Sequence, residues 1–77
     1  MNTSDNATMA DTVKTYFVVI CTESVFAVYG ASQEPQAILY ALGLPYDCSV
    51  FRASLPCRPA IGACITPGIG WNPILVQ

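Results

Sequence analysis

Residues 15–29 read TYFVVICTESVFAVY, and this stretch decides the fold. Thr15–Cys21 is a β-branched and aromatic run of strand length with apolar residues on both faces, so it predicts a central strand. Thr22-Glu23-Ser24 is a polar break short enough for a hairpin. Val25–Tyr29 then predicts a second strand, antiparallel to the first.

Outward from the hairpin, the signals change period. Ser32 is a residue type whose hydroxyl caps helix N-termini, Glu34 suits the positive end of a helix dipole, and Pro35 sits where a missing N–H does little harm. A helix is predicted from about Gln33 to Leu42, with Ile38, Leu39 and Leu42 on one face and Gln33, Gln36 and Tyr40 toward the other. Gly43 and Pro45 stop it. Ser49–Ser54 predicts a third strand, with Phe51 and Ala53 inward and Arg52 outward. Pro59 would open a short second helix through Ala60, Ile61, Ala63 and Cys64, ended by Pro67-Gly68. Trp71 with Ile74-Leu75-Val76 predicts a closing strand that Pro73 confines to an edge. The expected fold class is α+β: a small antiparallel sheet of three to four strands, one main helix packed on one face and a short second helix. Residues 1–13, polar and without periodicity, are expected to be a flexible leader, and residues 14–77 a single domain.

Charge narrows the function classes. The 77 residues hold 3 Lys+Arg and 5 Asp+Glu, where an ordinary soluble domain of this length would carry roughly 19 charges. Lys14, Arg52 and Arg58 are too few and too separated to displace counterions from a nucleic-acid backbone. The carboxylates are equally scattered and the net charge is −2, which disfavours an acidic nucleic-acid mimic. No basic start followed by an apolar run marks a secretory signal, so the expected location is the cytoplasm. The segment 59–77 carries no charge, yet its repeated Pro and Gly disfavour a membrane helix.

No constellation of residues specifies a reaction, a cofactor or a metal. The cysteines Cys21, Cys48, Cys57 and Cys64 form no C-x2-C pair and histidine is absent, so zinc is disfavoured. Free thiols are the expectation for a cytosolic chain. Should a disulfide form, Cys48–Cys57 and Cys57–Cys64 are the sterically easier pairs. Cys57 has Arg58 beside it and precedes the expected second helix, the one setting here that suits a reactive thiol. Gly68-Ile69-Gly70 lacks the Lys-Ser/Thr of a phosphate loop and reads as a turn.

What remains is surface. Tyr29, Tyr40, Tyr46 and Trp71 are the side-chain types that dominate protein interfaces, and Arg52 is an outward cation among them. These five are the expected partner-binding residues. The segment 16–44, YFVVICTESVFAVYGASQEPQAILYALGL, with the later FRASLPCRPAI and GIGW, resembles small anti-defence proteins of bacteriophages and mobile elements, anti-CRISPR proteins among them. The shared pattern is strand, brief polar turn, strand ending in Gly-x-Ser, then a helix with spaced Ala and Leu. The resemblance implies a cytoplasmic, non-enzymatic inhibitor that binds a host defence protein complex by protein–protein contact, with no cofactor and no direct contact to nucleic acid or membrane. It transfers no site residues. A homodimer is a further expected arrangement. Two rivals carry other expectations: a structural homo-oligomeric phage component, and a thiol-dependent enzyme or redox sensor using Cys57.

Overall fold

The computed structural model describes residues 13–77. The expected leader therefore lies, but for Val13, outside the described residues. Strands β1 (Lys14–Cys21) and β2 (Ser24–Gly30) form the hairpin, helix α1 (Glu34–Gly43) follows, and β3 (Cys48–Leu55) and β4 (Asn72–Val76) complete a four-stranded sheet. Its order is β2-β1-β3-β4 and every pairing is antiparallel. The fold is thus α+β, with one helix among the described residues.

Central placement of β1 follows from its composition. Phe17, Val19 and Cys21 point toward the helix, Val18 and Ile20 to the other side, and all five are buried. A strand covered on both faces needs apolar residues at consecutive positions, which is what this run supplies. The β1–β3 register is unbroken from Lys14↔Leu55 to Cys21↔Cys48.

Both outer strands carry an extra residue. In β2, Val19 faces Ala27 while Ile20 faces Val25, leaving Phe26 as a bulge. In β4, Val50 faces Leu75 while Phe51 faces Pro73, leaving Ile74. Each bulge turns one more large apolar side chain onto the helix-side cluster, where Phe26 and Ile74 pack beside their neighbours Ala27 and Leu75.

Three local expectations are corrected. Ser32 does not cap the helix: the cap position is Gln33, without a side-chain cap bond, and the Gln33 Oε1 instead accepts from the Gly30 N–H at 2.9 Å, holding the strand-to-helix bend. The second helix is absent. Gly62 has φ +91° in a turn, outside the right-handed helical region, and residues 63–65 then run along β2, with Val25 N–H donating to the Ala63 carbonyl and Ile65 N–H to that of Glu23. Finally, Cys21 and Cys48 are joined in a disulfide, while Cys57 and Cys64 are free and exposed. Cysteines directly opposite on paired strands, with Cα atoms 4.4 Å apart, are closer neighbours than any pair that sequence spacing favours.

The second sheet face is covered without a helix. From Pro56 the chain runs along the outer edge of β2, then crosses the face, placing Ile65 and Trp71 against the cluster of Val18, Ile20, Val25 and Val28 before entering β4. No helix among the described residues is long and apolar enough to cross a membrane.

Candidate protein-binding face

Helix α1 lies on the sheet through its smallest side chains. Ala37 and Ala41, one turn apart, are its only buried residues, and small residues let a helix approach a sheet closely. The leucines point the other way: Leu39 is 70% exposed and Leu42 54%. At 100° per residue Leu39 stands opposite the midpoint of Ala37 and Ala41. The expected apolar face of Ile38, Leu39 and Leu42 is therefore not the one that meets the sheet. The helix carries its larger apolar load outward.

Two tyrosines frame this outward face. Tyr40, on α1, packs against Tyr29 at the end of β2, with ring centroids 6.2 Å apart. Tyr46, just past the helix, meets the bulged Phe26 edge-on at 5.7 Å. Such pairs hold their rings in place and contribute about 0.5–1.5 kcal/mol each beyond burial. Arg52 faces Phe17 across β1–β3, and since Phe17 belongs to the helix-side cluster, Arg52 stands on that same side, exposed. Trp71 does not join them. It lies on the opposite face against Phe51, with ring centroids 6.2 Å apart.

Four of the five expected residues thus share one side of the sheet, together with Leu39 and Leu42. Those two leucines were not expected at a binding face; the signal for them was the Ala37–Ala41 spacing, which marks the side of closest approach. Charge is sparse here. Glu34 opens the helix and Asp47 follows it, with no base on α1.

The setting expected for a reactive thiol is not reproduced. No helix begins after Cys57, and the Arg58 guanidinium is engaged 2.7 Å from the Val28 carbonyl oxygen. Among the described residues there is no enclosed pocket and no group of three or more Cys, Asp or Glu side chains placed to hold a metal ion. No family model, curated protein or solved structure matches this chain.

Proposed function

We propose that this chain is a non-enzymatic, phage-type inhibitor that binds a host defence protein complex through the outer face of α1. Leu39 and Leu42 would form the apolar centre, with Tyr29, Tyr40, Tyr46 and Arg52 around it. The observation that carries the reading is the inversion of α1, with alanines inward and leucines in solvent. Large apolar side chains on a helix normally face a core, and an apolar surface flanked by tyrosines fits a protein partner. An interfacial membrane helix would need a basic polar face, which α1 lacks.

The test is phage plaquing on hosts with and without defined immune systems, comparing the wild-type chain with the double variant Leu39→Glu/Leu42→Glu. The reading expects protection of phage by the wild type and its loss in the variant, with unchanged thermal unfolding. It fails if the wild type impairs no defence system, or if the variant acts as the wild type does.

An inhibitor of this kind would work in the host cytoplasm, where thiols are kept reduced. The Cys21–Cys48 bridge favours a second reading, a structural homo-oligomer of a phage particle, since virion surfaces are among the settings where disulfides persist. Light scattering at several concentrations separates the two.

A further inference from the structure

We propose that the last turn of α1 is a lid over the Cys21–Cys48 disulfide, latched by Gln77, and that opening of this lid is what admits a thiol reductant to the bridge. The lid concerns the inner side of α1. It stands or falls independently of the partner proposed for the outer face.

In the closed fold the bridge is sealed. Cys21 and Cys48 are each 1% exposed, and both belong to the helix-side cluster that Ala37 and Ala41 complete. Behind them stands the sheet, whose other face is covered in turn by Ile65 and Trp71. Thiol–disulfide exchange needs direct access to a sulfur atom, so some element must move first.

Gln77 shows which part of the helix lies over the bridge. Its main-chain N–H donates to the Cys48 carbonyl at 3.1 Å, and its side-chain Nε2 donates to the Ala41 carbonyl at 2.7 Å. One residue therefore reaches from the strand that carries the bridge to the last turn of α1. Leu44 N–H donates to the same Ala41 carbonyl at 3.3 Å, and the Leu44 side chain packs on the cluster.

Around the bridge, α1 is the element most easily displaced. β1 and β3 pair without a break from Lys14↔Leu55 to Cys21↔Cys48. The helix has 10 residues, and the two it buries are alanines. A helix this short is marginal by itself in water, and a region with few buried apolar contacts opens without unfolding the rest. Lifting its last turn breaks the Gln77 side-chain bond and uncovers sulfur.

The reductant is a small dithiol. One of its thiolates attacks a bridge sulfur, breaks the S–S bond and forms a mixed disulfide, and the cysteine thiolate released takes a proton from solvent. The second thiolate attacks the dithiol's own sulfur in that mixed disulfide, closes a ring and releases the other cysteine. The bridge gains two electrons and the dithiol becomes a cyclic disulfide. A chain whose lid opens rarely keeps its bridge even in surroundings that hold open thiols reduced.

The full chain, with Cys57 and Cys64 first alkylated, is exposed to dithiothreitol, quenched by a second alkylating agent at intervals and read by intact mass and peptide mapping. The series is run in water and in urea below the unfolding transition. Expected is reduction slower than in the unfolded chain, at a rate that rises with urea far less steeply than global unfolding does. Gln77→Met keeps the main-chain N–H and loses the side-chain donor. It should speed native reduction about three- to tenfold and leave the rate of the unfolded chain unchanged. Native reduction as fast as in the unfolded chain, a rate with the full urea slope of global unfolding, or a Gln77→Met rate equal to wild type would each overturn the proposal. Should Gln77→Met fail to fold, the urea slope of the wild type decides the matter.

Discussion

The Arg58 guanidinium donates a 2.7 Å hydrogen bond to the main-chain carbonyl of Val28, thirty residues earlier. This contact closes the outer edge of β2 beyond the point where residues 62–65 pair with it. Arg58→Met keeps the apolar stem and removes the donor, leaving a part-buried carbonyl unpaired. Urea unfolding should show a loss of about 1–3 kcal/mol. No loss would mean that water replaces the guanidinium.

Removal of the β1–β3 disulfide by Cys21→Ala/Cys48→Ala frees a loop of sequence separation 27. Chain entropy puts the cost at about 3–4 kcal/mol, seen as a lower thermal midpoint. The wild type should fall toward the variant when reductant is added during unfolding, and the variant should not respond.

The hairpin turn uses residues poorly suited to it. Thr22 and Glu23 both have positive φ, 49° and 67°, as a two-residue type I′ turn requires, yet Asn-Gly is the sequence that tolerates this conformation. Left-handed backbone costs a non-glycine residue roughly 1–2 kcal/mol. Thr22→Asn/Glu23→Gly should therefore stabilise the chain by about 1 kcal/mol in urea unfolding, net of the lost 2.6 Å bond from Thr22 Oγ1 to the Cys21 carbonyl.

Size reversal on α1 provides a fourth comparison. Ala41→Leu overfills the helix–sheet contact and should destabilise by about 1–3 kcal/mol. Leu39→Ala, in solvent, should stay within about 0.5 kcal/mol of wild type. Equal effects at both positions would contradict the inverted helix.

Much of the architecture was legible locally. The consecutive apolar residues of β1 announced a strand buried on both faces, and the two hairpin strands and the main helix lie within a residue or so of their expected limits. Pro73 marked β4 as an edge. What escaped depended on partners distant in sequence. Spacing could not reveal that β3 returns beside β1 in a register that sets Cys48 against Cys21. Pro59 and the alanines after it suggest a helix in isolation, but the open edge of β2 draws residues 63–65 into pairing after a turn at Gly62. At the candidate binding face, tyrosine chemistry pointed to Tyr29, Tyr40 and Tyr46, which share one side. The same reasoning grouped Trp71 with them, because residue type carries no information about which face of a sheet a later segment crosses.

The segment that leaves Pro56 seals one outer edge of the sheet with residues 62–65 and the other with β4. It can dock only on strands already paired, and loop-closure entropy makes such non-local contacts the slow step of folding. Until it arrives, the hairpin and β3 present two bare edges, and neighbouring chains compete for them. Recovery after dilution from denaturant should thus fall as chain concentration rises, even where the finished fold is fully stable.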